Sequence, residues 1–436
     1  MLVTNSRVFR QTKHLSDRYR THEVPQIQGA TSRDNIAKWF DDVGSKLRAG
    51  DRLFVYVTAH GGRSADKKVP RNTKLFLWNT QNLQMKEWAA HLDKLADEVA
   101  VITVMVQCYC GGFADILFNE GDSTKGIANA NRCGFFATTH DRPAAGCTAD
   151  VNEQNYHEYS SYFWEAFRGQ TRTGQAIERP DYDGDGITSF TDAHAYAMLT
   201  STTVDISVKT SDVFLRAFSK TKLDKPKEAK AKNGADTKEN AEPAKELAVE
   251  LLTADVPYEQ LFQLASPADR AVLDGLSLEL GLTEPDRAKQ AKARAAELMK
   301  EKKDLDTQYK KKSGEYNTVA GNIRKQLEIR WPELSNRWHP KTVDVLANES
   351  EELVKLIESH PDFTKLEQCR DQMKELSDNK LNIDRQWVKC QRIIRTLENV
   401  ALAANLRHVA PRETQERYRM LLAAESGTFG EQHPAR

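Results

Sequence analysis

The predicted fold rests on two stretches of sequence, LFVYVTAHGG at residues 53–62 and VAVITVMVQC at residues 99–108. Each begins as an unbroken apolar run rich in β-branched residues and ends in a reactive side chain, His60 in the first and Cys108 in the second. Runs of this kind, without alternating polar residues, are typical of parallel strands buried on both faces. Because reactive groups in an open α/β sheet collect at the carboxyl ends of its strands, the sequence predicts that His60 and Cys108 share one crevice.

Helical segments are predicted around these strands. Thr31 and Asp34 form a capping pair for a helix that reaches about Leu47. Residues 85–95 are predicted to form the crossover helix before the second strand, and GFFATT at residues 134–139 is a third strand candidate. Strands alternating with helices predict an α/β fold over residues 1–219, with a doubly wound, mostly parallel sheet.

A charged linker and an all-α region are predicted to follow. Residues 220–245 contain many Lys, Ala and Glu and no aromatic residue, a composition typical of a flexible linker. Within residues 246–436, two series of positions alternate steps of three and four residues, the spacing typical of a coiled coil. The first series is Ala288, Ala291, Ala295, Leu298, Lys302, Leu305, Tyr309, Lys312, Tyr316, Val319 and Ile323; the second is Leu366, Cys369, Met373, Leu376, Lys380, Ile383, Trp387, Cys390, Ile394, Leu397 and Ala401. Since Pro332, Pro340 and Pro361 interrupt the chain between them, we expect an antiparallel coiled-coil hairpin.

Two cysteines lie at core-type positions of these series, so Cys369 and Cys390 are expected to be buried, free thiols. The hairpin is expected to fold without the first domain. Its expected role is binding, either to a second copy of itself or to a protein partner that brings substrate near Cys108.

Composition limits the classes of partner. The chain has 63 basic and 63 acidic residues, and therefore lacks the basic excess typical of a nucleic-acid binder. No apolar run is long enough to cross a bilayer. The basic N-terminus has no apolar stretch behind it, so it does not read as a signal peptide. We expect a soluble, cytoplasmic protein, although an incomplete N-terminus would leave a lost signal peptide open.

His60 and Cys108 are the candidate catalytic pair. A cysteine peptidase needs a thiolate, a base that moves protons, and donors for the developing oxyanion. Cys108 lies 48 residues after His60, a separation that suits a caspase-type arrangement. The alternative is a loop histidine and a small buried cysteine without chemistry.

The paired motifs carry a family resemblance. A strand followed by His-Gly, and a second strand ending in Cys, resemble the motifs of caspases, metacaspases, legumains and related bacterial peptidases. The run Cys108-Tyr109-Cys110-Gly111 is similar to the Cys-x-Ser-Gly of metacaspases and legumains, with a cysteine in place of the serine. The resemblance extends to residues 134–147 and 158–169, which are similar to a later strand and a helix that wall the substrate pocket. The chain is thus identified as a caspase-like cysteine peptidase of the bacterial legumain-like type.

The resemblance implies a mechanism and an activity, the hydrolysis of peptide bonds in a protein or peptide substrate. Cys108 would attack the scissile carbonyl, His60 would carry protons, and the backbone N–H groups of Gly61 and Cys108 would hold the oxyanion. No cofactor is implied for catalysis.

The chain departs from the family pattern at two places. Val106 stands where these families carry a Gln, Asp or Glu that helps read the first substrate residue, so the cleavage preference is not predicted. Asp141 and Glu158 are other acids that could line the pocket. The fold usually opens with a buried strand, and residues 1–30 offer nothing comparable. A catalytically silent scaffold with this fold therefore stands as the alternative to an active endopeptidase.

Cys110 has several interpretations, of which the simplest is a small residue that packs under the loop. It is a rival nucleophile, although its position beyond the strand end favours Cys108. It could be a redox partner of Cys108, but the ring that a Cys-x-Cys disulfide closes is strained. A zinc site made by Cys108, Cys110 and His140 matches none of the common ligand spacings.

A separate acidic loop reads Asp181-Tyr182-Asp183-Gly184-Asp185-Gly186, and Asp192 follows after five further residues. This follows the calcium loop of EF-hands, with Asp in place of the final Glu. The pattern predicts a structural calcium site made by Asp181, Asp183, Asp185 and Asp192. The alternative is an acidic surface turn that caps the helix predicted at residues 191–200.

Overall fold

A computed structural model describes residues 25–146, 157–222, 250–336 and 339–430. Most of the predicted linker, 220–245, and residues 1–24 lie outside the described residues, as does Cys147. The chain divides into two compact units. Residues 30–297 with 385–430 form what we call the sheet unit, and residues 298–384 form what we call the arm unit.

The sheet unit contains two small sheets. The described strands are β1 (Arg52–Val57), β2 (Gly61–Gly62), β3 (Lys74–Phe76), β4 (Asn82–Gln84), β5 (Ala100–Met105), β6 (Arg132–Phe136) and β7 (Val208–Lys209). The larger sheet has the order β1-β5-β6-β7, in which the first three strands are parallel and β7 is antiparallel to β6. The smaller sheet, β2-β3-β4, is antiparallel and lies in the connection between β1 and β5. A mixed α/β fold with a mainly parallel sheet is therefore confirmed.

Helices make up most of the remaining described structure. They are α1 (Arg33–Asp42), α2 (Met85–Leu92), α3 (Tyr159–Arg168), α4 (Phe190–Thr200), α5 (Thr210–Phe218), α6 (Tyr258–Leu264), α7 (Pro267–Leu280), α8 (Arg287–Arg330), α9 (Pro340–Asn348), α10 (Ser350–Glu358), α11 (Phe363–Val409) and α12 (Arg412–Glu425). None of the described helices combines the length and apolar character that a membrane crossing needs.

Several boundaries differ from the predicted ones for local reasons. The first helix is capped by Ser32, whose hydroxyl accepts the N–H of Asn35 at 3.3 Å, and not by Thr31. β1 lies at the edge of the sheet with Tyr56 39% exposed, so the expected burial on both faces holds for β5 and is wrong for β1. The third strand, β6, begins two residues before the predicted residue 134 and ends at Phe136.

The core of the sheet unit is rich in aromatic side chains and draws on both ends of the chain. Its fully buried aromatic residues are Phe40, Phe113, Phe118, Phe135, Phe136, Tyr159, Phe163, Phe190 and Phe214. Leu402, Leu406 and Leu421, from α11 and α12, belong to the same cluster. Part of the region 246–436 therefore shares a core with the sheet, and this packing argues against folding of 246–436 as an independent domain.

The arm unit is built from long and short helices. Within it, Lys302 pairs with Asp384 at 2.5 Å and Lys380 with Asp306 at 2.5 Å, so the arm-unit portions of α8 and α11 run antiparallel. α9 and α10 connect them, with a small cluster around Trp331. Cys369 in the arm unit and Cys390 in the sheet unit are each buried and free, as predicted.

Candidate active site

His60 and Cys108 follow neighbouring parallel strands at the same register. Val57 is paired with Met105, and the N–H of Val106 donates to the Val57 carbonyl at 3.0 Å. Each reactive residue lies three positions beyond this last pair. The two turns therefore begin side by side at the carboxyl ends of β1 and β5, as the strand pattern predicts.

Gly61 lies where the two turns pack against each other. A Cβ atom on Gly61 would lie 2.0 Å from the Cys108 carbonyl oxygen, so no side chain fits between the turns. The N–H of Phe76 donates to the His60 carbonyl at 2.9 Å, which makes His60 and Phe76 a hydrogen-bonded pair of the small sheet. By the alternation of an antiparallel ladder, the N–H of Gly61 then points away from β3.

A sharp turn places Cys108 at the sheet edge. Tyr109 has a φ of 63°, in the left-handed region, and a 3-10 helix, Cys110–Leu117, begins directly after it. The N–H of Cys110 donates back to the Gln107 carbonyl at 3.2 Å. As a result Cys108 is half-buried, whereas Gln107 and Cys110 on either side of the turn are fully buried.

The residues around the turn hold it in several directions. The Tyr109 N–H donates to the Arg142 carbonyl at 2.9 Å, and the Tyr109 carbonyl accepts the Thr73 hydroxyl at 3.0 Å. The guanidinium carbon of Arg63 lies 5.3 Å from the centre of the Tyr109 ring. The Cys108 thiol accepts the N–H of Ala144 at 3.4 Å. The Ala144 carbonyl lies 3.9 Å from the same sulfur, so both polar backbone groups of Ala144 face Cys108.

Cys110 is a structural residue. It is completely buried, and its sulfur exchanges contacts with the backbone of Thr138, at 3.4 Å to the nitrogen and 3.6 Å to the oxygen. Burial raises the pKa of the Cys110 thiol far above its usual range. A thiol held in this form is a poor nucleophile and a poor metal ligand. Among the described residues, Cys108, Cys110 and His140 do not form a metal-binding group.

An ion pair not predicted from the sequence supports the 3-10 helix after Cys108. The Arg71 side chain donates to both carboxylate oxygens of Asp115, at 2.7 and 2.9 Å, and to the Gly111 carbonyl at 3.2 Å. Burial raises the pKa of Asp115, against the opposing effect of Arg71. Burial and the neighbouring Arg71 lower the pKa of His140, which favours a neutral ring. Arg71 and Asp115 are 44 residues apart in the sequence, so no local pattern predicts their ion pair.

The residues considered for substrate specificity lie in different environments. Val106 is buried directly after β5, so it cannot line an open pocket. The Asp141 carboxylate accepts the Thr139 hydroxyl at 2.6 Å, and the Glu158 carboxylate accepts the Ser160 hydroxyl at 2.7 Å. A further acid is Asp205, which is buried and accepts the Ala145 N–H at 2.7 Å. Burial raises the pKa of Asp205 to about 6.

The acidic loop brings together three of its four predicted ligands. Carboxylate oxygens of Asp181, Asp183 and Asp185 lie within 4.8 Å of one another on the exposed surface. Asp192 is buried instead at the start of α4, where it forms a capping box with Ser189. The Asp192 carboxylate accepts the N–H of Ser189 at 2.9 Å and the N–H of Tyr182 at 3.2 Å. The structure therefore brings together Asp181, Asp183 and Asp185 and places Asp192 apart from them, with its oxygens in the helix cap.

Backbone donors and neighbouring carboxylates act on this cluster in opposite directions. Asp181 accepts the N–H groups of Gly184 and Gly186, each at 2.8 Å, and these donors lower its pKa. Partial burial and the neighbouring carboxylates raise the pKa of Asp183. The loop is thus preformed by its own backbone.

Comparison with known proteins gives no family assignment. No family model, curated protein or solved structure matches the chain. Any functional conclusion therefore rests on the residues and contacts described above.

Proposed function

We propose that this chain is a caspase-like cysteine endopeptidase in which Cys108 is the nucleophile and His60 carries protons. One observation carries the proposal: Gly61 is packed directly on the Cys108 carbonyl, so the His-Gly turn and the cysteine turn form one small site. Cys108 is half-buried whereas the second thiol of the turn, Cys110, is fully buried, which supports access of a substrate to the Cys108 sulfur and not to the other.

The chemistry follows from these groups. His60 accepts the thiol proton, the Cys108 sulfur attacks the scissile carbonyl, and the protonated His60 gives its proton to the leaving amine. The N–H groups of Gly61 and Cys108 would stabilise the oxyanion that forms at the attacked carbonyl. Water then hydrolyses the acyl-enzyme, with His60 again as the base.

The long helices give the proposed enzyme a binding region. We assign the antiparallel pair in the arm unit to recognition or assembly, as a coiled-coil hairpin that takes a second copy of the chain or a protein partner. Lys302 and Lys380, at core-type positions, are paired with aspartates of the opposite helix and not buried among apolar side chains. A seam of this kind is weaker than an apolar one and suits exchange of partners. A cytoplasmic location is part of the same proposal.

The first test compares the cleavage of an unbiased peptide library by the parent protein and by two variants. Cys108→Ala and His60→Ala should each lower the cleavage rate by more than about a thousandfold, since each removes a group that acts in the chemical step. Circular dichroism should show that both variants keep the parent fold.

Two matched variants serve as controls. Cys110→Ala removes the neighbouring buried thiol and His408→Ala removes another exposed imidazole, and both should retain cleavage. An active Cys108→Ala combined with an inactive Cys110→Ala would show that the nucleophile is wrongly assigned. A folded parent that cleaves no peptide would favour the silent scaffold.

We also propose that the acidic loop binds calcium in a structural role, through Asp181, Asp183 and Asp185. Three carboxylates within 4.8 Å attract a hard cation, and binding to the folded state alone raises thermal stability. Calcium should therefore raise the melting temperature of the parent and give binding heat in titration calorimetry. Asp183→Ala should lose both effects, whereas Asp344→Ala, at another exposed aspartate, should keep them. Equal binding heats for the parent and Asp183→Ala would exclude this site.

A further inference from the structure

We infer that helix α11 positions the candidate nucleophile through the segment of residues 139–146, which we call the cysteine loop. Trp387 and Arg392 of α11, together with Asp205, are assigned as positioning residues. The inference rests on the proposed function in one respect, the identity of Cys108 as the nucleophile. It makes α11 part of the site and not only of a binding region.

The cysteine loop touches the nucleophile turn at consecutive points. The Arg142 carbonyl accepts the N–H of Tyr109 at 2.9 Å, which fixes the residue that follows the nucleophile. Two residues later, the N–H of Ala144 donates to the Cys108 sulfur at 3.4 Å, and the Ala144 carbonyl lies 3.9 Å from the same sulfur. The position of this loop therefore decides whether the sulfur keeps its backbone donor.

The same loop is held from its other side by α11. The guanidinium carbon of Arg142 lies 4.8 Å from the centre of the Trp387 ring, within the range of a cation–π contact. The Nε atom of Arg142 is buried and has no hydrogen-bond partner among the described residues. The ring contact thus holds this side chain against α11.

A second connection runs through two buried charges. The Ala145 N–H donates to the Asp205 carboxylate at 2.7 Å. Arg392 in turn donates to the Asp205 carbonyl at 3.0 and 2.8 Å, and to the Met198 carbonyl at 2.7 Å. Arg392 is 1% exposed, and its guanidinium donates hydrogen bonds to backbone carbonyls and hydroxyl groups of residues 198–205. α11 therefore fixes the segment that carries Asp205, and Asp205 fixes Ala145 beside the donor of Ala144.

Both connections end at the N–H of Ala144, so loss of either should reduce the reactivity of the Cys108 sulfur. A backbone N–H held toward sulfur stabilises the negative charge that the reactive form carries. A loosened loop would leave the sulfur without this donor while the sheet beneath it stays packed. This expectation has the opposite sign to simple unfolding, which would expose cysteines and speed their labelling.

The test uses the full chain and neutral iodoacetamide, with each cysteine followed by mass spectrometry of its peptide. Asp205→Ala removes the acceptor of the Ala145 N–H and should slow alkylation of Cys108 about tenfold, the effect of one hydrogen bond to a charged group. Trp387→Ala should slow it about threefold, the effect of one partly exposed cation–π contact. The buried thiols of Cys110 and Cys133 should stay unlabelled in both variants.

Conservative variants and a matched control complete the test. Asp205→Asn keeps an oxygen acceptor and Trp387→Phe keeps an aromatic ring, so each should restore most of the parent rate. Trp331→Ala removes a tryptophan whose ring also lies 4.8 Å from an arginine, Arg330, and it should leave the Cys108 rate unchanged.

Two outcomes would overturn the inference: parent-like Cys108 rates in folded Asp205→Ala and Trp387→Ala, or faster labelling of Cys108 together with the buried thiols. A parent that is alkylated at Cys108 but cleaves no peptide would remove the peptidase proposal. The slowed alkylation in the variants would then still support the positioning role.

Discussion

The sheet unit and the arm unit differ in how they hold charged groups. In the sheet unit, the Glu425 carboxylate is fully buried and accepts four donors, from Lys209, Thr210 and both the N–H and hydroxyl of Ser211. In the arm unit, the Lys302–Asp384 pair is about a quarter exposed on both sides. Water can take the place of either partner in the Lys302–Asp384 pair, but it cannot reach the Glu425 carboxylate. The buried contacts of the sheet unit therefore hold its side chains in fixed positions, and we expect the arm unit to tolerate substitutions better.

The largest expected effect comes from removing one partner of a buried pair. Glu425→Ala removes the carboxylate paired with the largely buried Lys209 and leaves the buried donors of Thr210 and Ser211 without their acceptor, so it should lower the free energy of unfolding by about 3 to 5 kcal/mol. Asp384→Ala breaks a lysine–aspartate pair in the arm unit and should cost less than about 1 kcal/mol. Urea denaturation of both variants measures the difference, and equal losses would contradict the contrast between the units.

A smaller effect is expected from pH, through a buried histidine of the sheet unit. Burial lowers the pKa of His194 to about 3, and its Nδ1 lies 2.8 Å from the Tyr159 hydroxyl. Between this value and the ordinary value near 6.5, the unfolded chain binds more protons than the folded one, so stability falls as the pH falls. From pH 7 to pH 5 this histidine should remove about 2 kcal/mol of stability.

The variant His194→Asn isolates that contribution, because a short amide can replace Nδ1 in the bond to Tyr159. Asp205 acts in the opposite direction over the same pH range, since its raised pKa favours proton uptake by the folded state. Both proteins contain Asp205, so its effect cancels in the comparison. The stability advantage of the parent should shrink by about 2 kcal/mol between pH 7 and pH 5. A constant difference would show that His194 does not set this dependence.

The smallest expected effect is a gain of stability in the arm unit. Gly314 lies inside α8, and a Cβ atom added there would meet nothing within 4 Å. Gly314→Ala should therefore stabilise the arm unit by about 1 kcal/mol, the difference in helix propensity. In the sheet unit, Gly61→Ala should destabilise the turn instead, because its Cβ would overlap the Cys108 carbonyl. Calorimetric melting of both variants gives the two signs, and a loss at Gly314 would contradict the tolerance assigned to the arm.

The sequence predicts those parts of the fold that depend on patterns of neighbouring residues. The apolar runs ending at His60 and Cys108 predict two strands, and their pairing in parallel places both residues at one edge. The crossover helix at Met85 is also predicted, since periodicity over a short segment determines it. The proline-interrupted region between the long helices likewise contains only short helices among its described residues.

Other features depend on contacts between distant residues, which a local pattern does not reveal. The role of Arg392 follows from backbone carbonyls nearly 190 residues earlier in the chain. Asp192 matches the last position of a calcium loop, but the same side chain is also suited to the capping box that it forms with Ser189. The sequence pattern does not decide between these two uses; the packing of α4 does.

The contact between Glu425 and Ser211 also bears on when, during synthesis, the sheet unit can finish folding. These partners are separated by 214 residues, and the sheet unit is interrupted by the whole arm. At ribosomal rates of about 5 to 20 residues per second, Glu425 emerges roughly 10 to 40 s after Ser211. During that interval the nascent sheet lacks α11 and α12, and the aromatic core that they cover faces solvent or a chaperone. Synthesis that stops within the arm would therefore release a chain that has every strand of the sheet but lacks the part of the core supplied by α11 and α12.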